Sequence, residues 1–381
     1  MNLGQFQKEL VAYASEIGID KIGFASAEPF FNLKHQLIRQ QQLQYQSGFE
    51  EQDVEKRTHP ELLLEEAVTI IAIAIAYPSK MNDAPQGTKG ARRGIFSRSS
   101  WGKDYHAALR ERLTLLEAFI ASHYPDARMR SMVDTGELSD RAVAERAGIG
   151  WSAKNTNIIT PEFGSYVYLG EMITNIPFTL DEPMEDQCGD CRLCIDTCPT
   201  GAIVEGGQLN AQRCISFLTQ TKGFLPDEFR SKIGNRLYGC DTCQTVCPKN
   251  KRKANQIHAE FEPDPEIAKP LLEPLLKISN REFKEKFGYV SGSWRGKKPI
   301  QRNAILALAH FKEVSAVPAL IDLLESDERP VIRGTAAWAI GKIGTAEGLH
   351  ALKIAEEKEK DSEVLEEIQK GLAFFAEKSK G

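Results

Sequence analysis

Cysteine is missing from the first 187 residues of this 381-residue chain and from every position after 247. Long hydrophobic runs are missing too. The longest, Val68 to Tyr77, is about ten residues and too short to span a bilayer, so no membrane partner is expected. The opening Met1-Asn2-Leu3-Gly4-Gln5 has neither a basic start nor an apolar core. No secretory signal is therefore expected, and the protein is placed in the reducing cytoplasm, where disulfides do not persist. Excess positive charge is lacking as well: a net charge of −5 excludes a chain that is basic all over and leaves a local cationic surface open. The spacing G-x-G-x-x-G is absent around Gly148 and Gly150, which removes a dinucleotide fingerprint there.

What is present is concentrated. All eight cysteines fall between residues 188 and 247. Four read Cys188-x-x-Cys191-x-x-Cys194-x-x-x-Cys198-Pro199, three read Cys240-x-x-Cys243-x-x-x-Cys247-Pro248, and Cys214 stands between them. The first run is the bacterial ferredoxin pattern, and eight thiolates match the needs of two [4Fe–4S] clusters. In such proteins the fourth cysteine of a run ligates the other cluster. Cys188, Cys191, Cys194 and Cys247 then hold one cluster, and Cys198, Cys214, Cys240 and Cys243 the second. Zinc also accepts C-x-x-C pairs and stays the alternative ligand. The cluster reading makes electron transfer the business of this segment.

Three regions follow along the chain. Residues 1–180 read as an α/β or α+β domain. Phe6, Leu10, Val11, Ala14 and Ile17 recur at helical spacing, Val68 to Tyr77 reads as a buried strand, and Tyr105 to Ala121 reads as a helix. Ala127 to Val133 is a second strand, Ala142 to Ala147 a helix, and Asn157 to Ile159 and Tyr166 to Gly170 further strands. Residues 181–260 form a ferredoxin-like two-cluster domain that needs little core of its own, closing on the basic run Lys249 to Lys253. Residues 261–381 comprise a linker and an all-α HEAT-like repeat. Ile300 to Leu308 aligns with Val331 to Ala339 at an offset of 31, and Val364 begins a third copy. Such helix pairs bury their apolar faces by stacking on one another.

One further site stands out. Asp134 ends the strand Ala127 to Val133, and the carboxyl ends of strands in α/β sheets are where chemistry is usually built. A carboxylate followed by Thr135-Gly136 is also a good helix cap. Asp104-Tyr105-His106 approaches the D-x-H-x-x-G pattern of an axial cobalt ligand. Leu109 occupies the glycine position, so His106 reads as a pocket or helix-surface residue rather than a ligand.

Together these pieces resemble the epoxyqueuosine reductases. The resemblance rests on Lys56-Arg57-x-x-Pro60, Asp104-Tyr105-His106-x-x-Leu109-Arg110, Asp134-Thr135-Gly136, Gly148-x-Gly150-Trp151-x-x-Lys154-Asn155-Thr156-Asn157, Gly164-Ser165-x-x-x-Leu169-Gly170-Glu171 and the eight cysteines. One departure is visible: Glu137-Leu138-Ser139-Asp140 replaces the family's usual Pro-Val and glutamate after the glycine.

The resemblance implies cobalamin, bound base-off in the N-terminal domain beside two [4Fe–4S] clusters. It implies reduction of epoxyqueuosine to queuosine at the wobble position of tRNA, with electrons from an external one-electron donor such as a flavodoxin or ferredoxin. It makes Asp134 the general acid, which calls for a carboxyl pKa raised by burial. Cobalamin contacts are expected from Arg57, Asp134, Lys154, Asn155, Ile158, Leu169 and Ser216. The anticodon stem-loop is expected on Lys222, Arg281, Arg295, Lys297, Lys298 and Arg302, since Trp294-Arg295-Gly296-Lys297-Lys298 leads into the repeat and Arg333 repeats Arg302 one module later. Exposed lysines also serve merely as solvated surface, and that reading stays open for each. Nothing demands more than a monomer. Two rival classes remain: a two-cluster electron carrier with a protein-binding repeat scaffold, and a corrinoid reductive dehalogenase, which usually carries a twin-arginine export signal.

Overall fold

The eight residues Thr69–Ala76 are all buried in the computed structural model, which describes residues 2–253, 255 and 257–378. Residues 1, 254, 256 and 379–381 of the segments expected above lie outside the described residues. The chain divides into two compact units. The first comprises residues 1–80, 102–214 and 241–262; the second comprises 81–101, 215–240 and 263–381. These cut across the expected boundaries at 180 and 260. The cysteine-bearing segments 181–214 and 241–260 belong with the N-terminal sheet, because their own apolar cluster is only Trp151, Ala153 and Ile159 with Met184, Cys188 and Cys247 against it. Segment 215–240 instead contributes Ile215, Leu218, Leu225, Phe229, Ile233 and Leu237 to the core of the helical unit.

The first unit contains α1 (Leu3–Glu16), β1 (Lys21–Ser26), β2 (Thr69–Ala76), α2 (Tyr105–His123), β3 (Met129–Met132), α3 (Asp140–Arg146) and β4 (Val167–Thr174). The strands lie in the order β1-β2-β4-β3, and every neighbouring pair is antiparallel. The sheet is thus α+β in character, and the parallel-sheet rule invoked for Asp134 does not apply to it. β2 reads as unbroken apolar sequence because both its faces are covered. Ile71, Ile73 and Ile75 pack with Phe6, Leu10, Leu109, Leu113 and Leu116 of α1 and α2. Ile70, Ala72 and Ala74 pack on the opposite side with Val143 and Ala144 of α3. Each buried isoleucine contributes roughly 1.5–3 kcal/mol. The α3 face is lined with alanine so that the helix can lie close. A Cβ at Gly23 of β1 would stand 2.1 Å from the carbonyl oxygen of Ala147, so only glycine fits. Two one-turn helices in the first unit, α4 (Leu193–Asp196) and α5 (Thr242–Thr245), carry Cys194 and Cys243.

The second unit is a stack of α6 (Lys297–His310), α7 (Val317–Ser326), α8 (Pro330–Ile343), α9 (Ala346–Lys358) and α10 (Ser362–Lys378). The offset repeat places α6 and α8 in successive modules, and α8 packs against both α6 and α10. Pro330 opens α8 and Gly344, left-handed at φ 78°, closes it.

Candidate active site and nucleic-acid surface

Asp134 sits two residues past β3 in a left-handed backbone conformation, φ 50°. Aspartate tolerates this region better than most residues, yet it still costs roughly 1–2 kcal/mol, so the surrounding loop must hold it. Two features do. The Asp134 N–H donates to Asp140 Oδ2 at 2.9 Å, and Gly136 lies so close to Met132 that a Cβ would meet that side chain at 2.6 Å. The Asp134 carboxyl is thereby presented outward, its side chain 58% exposed.

Opposite it stands the start of α2. Asp104 caps the helix, accepting the His106 N–H at 3.1 Å and lying 2.7 Å from His106 Nδ1. His106 Nε2 lies 3.2 Å from Asp134 Oδ2. The ring is thus held between two carboxylates. Burial disfavours the imidazolium, but hydrogen bonds to Asp104 and Asp134 outweigh it and raise the His106 pKa to about 9. The Tyr105 ring stacks on His106 at 4.1 Å and on Tyr168 at 4.7 Å, and Tyr168 stacks on Tyr77 at 4.4 Å, which fixes the ring planes. Burial raises the Asp134 pKa, but hydrogen bonds from His106 and Tyr105 prevail and leave it below the usual carboxylate value. This corrects the expectation of a raised pKa. Asp134 rests as a carboxylate, and the proton nearest to it is on His106.

Behind the loop lies a second acidic layer. Asp140 opens α3, and burial together with the Asp134 charge raises its pKa to about 6. Glu171 in β4 is fully buried; no donor side chain or backbone group reaches its carboxyl oxygens, and the group within hydrogen-bonding reach is the Asp140 carboxyl. Burial, then the charges of Asp140 and Asp134, push its pKa well above the ordinary range. Arg141 donates to the carbonyl of Thr156, and its charge lowers Asp134 and Asp140. Arg57 feels Glu50, Arg141 and Asp140. A polar cavity of about 620 Å³ adjoins the loop, lined by Phe49, Glu50, Arg110, Arg130, Thr135 and Glu137 among others. Sequence reasoning missed Tyr105, Asp140, Arg141 and Glu171. The available signal for Glu171 was a single charge inside an otherwise buried strand.

The expected cofactor contacts fall into distinct settings. Lys154 donates to the carbonyls of Gly189 and, at 3.2 Å, Cys191; Asn155 Nδ2 donates to the carbonyl of Cys243 at 3.4 Å. Both therefore grip the cysteine loops. Ile158 is buried and Leu169 half-buried on the α3 side of the sheet. Ser216 lies in the second unit, its carbonyl accepting from Thr219 and Gln220. None of these expected contacts is among the residues lining the polar cavity beside the Asp134 loop; the Arg57 guanidinium, Lys154 ammonium and Asn155 amide are donors of the kind that pair with the amide carbonyls of a corrinoid.

All eight cysteines are half-buried. Cys194 is raised by burial and by the neighbouring Cys188 and Cys247, and Cys247 by burial and by Cys188 and Cys191. The four thiols of the first expected set are therefore near neighbours. Among the described residues no group of three or more His, Cys, Asp or Glu side chains converges as around a single ion. Cys198 accepts the Ala202 N–H at 3.3 Å, and backbone donors of this kind favour its thiolate.

In the second unit, Lys222, Arg281, Trp294 and Lys298 are exposed and Arg295 and Lys297 half-buried. Trp294 is 53% exposed, donates to Gln220 at 2.8 Å, and has Arg295 over its ring at 4.8 Å. Lys297 donates to the carbonyl of Ile278 at 2.9 Å, and Arg281 pairs with Glu285. Arg302 is different. It is 1% exposed, and its guanidinium donates to the carbonyls of Leu218, Thr221 and Gly223 at 2.8–2.9 Å. The expected phosphate contact from Arg302 is therefore corrected: the α6 face that carries it is turned inward, and its donors are spent on the 218–223 segment. Arg333, its repeat partner, is paired with Glu359 at 2.8 Å.

A grouped thiol array joined to a strained, imidazole-backed carboxylate defines an iron–sulfur oxidoreductase. Three family models match: epoxyqueuosine reductase QueG, DUF1730 over residues 57–135, a 4Fe-4S double cluster binding domain over 187–250, and HEAT repeats over 296–373. The epoxyqueuosine reductase of Bacillus subtilis is 70% identical over 98% of this chain and 97% of its own length. A crystal structure of an epoxyqueuosine reductase with an epoxyqueuosine-modified tRNA-Tyr stem loop is 69% identical, covers 98% of this chain and all of that one, and superposes with a TM-score of 0.97. A Bacillus subtilis structure, 68% identical over 98% of this chain and all of that one with a TM-score of 0.96, has its Asp134 catalytic loop swung out of the active site. The chain belongs to the epoxyqueuosine reductase family.

Proposed function

We propose that this chain reduces the epoxide of epoxyqueuosine to the cyclopentenediol of queuosine at the wobble position of a tRNA anticodon. The observation that carries the reading is the outward Asp134 carboxylate backed at 3.2 Å by the His106 imidazolium, in a chain of this family. Opening an oxirane leaves charge on oxygen, and a positioned acid relieves it, typically by a factor of about 10²–10⁴ in rate. Asp134 passes to that oxygen a proton supplied through His106. Asp104 keeps the imidazole protonated and oriented, and Tyr105 fixes the Asp134 rotamer.

Cobalamin, held by Arg57, Lys154, Asn155, Ile158, Leu169 and Ser216 in base-off form, would supply a strongly reducing cobalt to the epoxide carbon. With both ring nitrogens of His106 turned to carboxylates, that histidine serves Asp134 rather than a metal. The cysteine sets Cys188, Cys191, Cys194, Cys247 and Cys198, Cys214, Cys240, Cys243 would hold two [4Fe–4S] clusters, which would supply one-electron transfer from a flavodoxin- or ferredoxin-like donor. Lys154 and Asn155, bonded to cluster-loop carbonyls, tie the loops to the sheet. The anticodon stem-loop lies against Trp294, Arg295, Lys297, Lys298, Lys222 and Arg281, where an exposed indole and cations suit single-stranded bases and phosphate. The protein acts as a monomer in the cytoplasm.

The test is anaerobic reconstitution with iron, sulfide and cobalamin, followed by an assay on tRNA bearing the epoxide. Conversion to queuosine supports the reading. A fully loaded protein that binds this tRNA and leaves the epoxide intact overturns it.

A further inference from the structure

The reduction just proposed consumes more than one proton. Both C–O bonds of the oxirane break, a C=C bond forms, and the oxygen leaves as water: the epoxide takes up two electrons from the external one-electron donor and two protons. Asp134 carries one proton at a time. The His106 imidazolium accounts for the first delivery, and a second is needed before the hydroxyl can depart.

The layer behind the loop is built for that delivery. Glu171 stands in register with Met132 of β3, two residues before Asp134, and with Ala72 of β2. Alternation along β4 directs it to the same face as Leu169 and Ile173, the face on which α3 packs. On that face β2 presents Ala72 and no titratable group, β3 presents Met132 and Arg130, the latter paired with Glu137, and α3 brings Asp140 and Arg141. A fully buried carboxyl whose only hydrogen-bonding neighbour is another carboxyl, that of Asp140, is expensive to keep ionised. Any isosteric apolar side chain would pack there at lower cost. Asp140 is the carboxyl that acts on Glu171 most strongly, and Asp134 comes next. Asp140 is also the group that holds the Asp134 backbone N–H. The three carboxyls thus form a file from the core to the surface.

We propose that Glu171 is a buried proton store for the active site, and that Asp140 relays its proton to Asp134 after the first transfer. Asp140 and Glu171 are positioning and relay residues; neither touches substrate. This rests on the reductase reading above. It also gives a reason for a carboxyl, rather than an apolar residue, in the middle of β4.

The test compares wild type, Glu171→Gln and Asp140→Asn as reconstituted holoenzymes. Infrared difference spectra at about pH 7 should show a carboxylic-acid C=O stretch in wild type that shifts in D₂O, is lost in Glu171→Gln and survives in Asp140→Asn. Both variants should lose about 10–100-fold in single-turnover epoxide reduction at alkaline pH and much less in acid, where bulk protons replace the store. Absence of the acid band in wild type, or a Glu171→Gln rate profile that parallels wild type at every pH, overturns the relay. Wild-type enzyme that leaves the epoxide intact sinks the reductase reading itself. A working wild type beside an indifferent Glu171→Gln sinks the relay alone. Should Glu171→Gln not fold, the wild-type band and the alkaline loss in Asp140→Asn decide the matter.

Discussion

The two units treat buried polarity in opposite ways. In the helical unit Arg302 and Asn303 are almost wholly buried, and their donors reach the carbonyls of Leu218, Thr219, Thr221, Gly223 and Leu237. Arg230 and Glu367, each 4% exposed, form a two-point ion pair there. In the sheet unit, the Thr69 hydroxyl and the Trp151 indole N–H are buried without a partner, and buried Glu171 has only another carboxyl, Asp140, beside it. Among the described residues every such orphaned atom falls in the sheet unit. A satisfied buried charge locks segments together; an unsatisfied one is kept at a cost that stability alone does not explain. The contrast separates scaffold from chemistry without reference to any ligand.

The largest expected effect tests the chemical side. Asp134→Asn should retain iron and corrinoid content and lose about 10²–10⁴ in turnover, since the amide keeps the shape and removes the acid. Full activity would end the assignment. Next, Arg302→Met should destabilise the protein by about 3 kcal/mol or more in denaturant titration, because it orphans several buried carbonyls. A mere change in tRNA affinity at unchanged stability would restore the surface role that burial denies it. Glu171→Met should do the reverse, leaving stability at neutral pH equal or about 1 kcal/mol higher while activity falls. If both substitutions destabilise alike, the contrast between the units fails.

Smaller effects follow from charge. The His106 pKa is raised from 6.5 to about 9, so the stability it contributes is fully present below about pH 6.5 and is lost as pH rises through 9. With one carboxylate partner largely exposed, that contribution is about 1 kcal/mol after screening. Thermal melts of wild type and His106→Gln should therefore converge above pH 9; a constant gap would contradict it. Last, Lys298→Glu and Lys222→Glu should each weaken tRNA binding and lower its salt slope by about one, with cofactor spectra unchanged.

Much of the site was readable in sequence because it is carried by spacing. Cysteine intervals announce cluster chemistry, and an offset of 31 announces stacked helices; both are local properties of the chain. Asp134 was readable as a position but not as a charge state. Its pKa depends on His106 and Tyr105, 28 and 29 residues away, and it falls where burial alone would raise it. Arg302 was misread for a related reason. An arginine in an amphipathic pattern looks exposed until the 218–223 segment is seen to claim its donors.

The sequence by itself determined which residue types the chain commands: thiols at cluster spacing, a carboxylate after a strand, helices that repeat. Only the tertiary structure decided the protonation of those groups and which charges face water. Electrostatic state is set by neighbours brought together through the antiparallel sheet and the helical stack, and periodicity along one chain does not encode that distance.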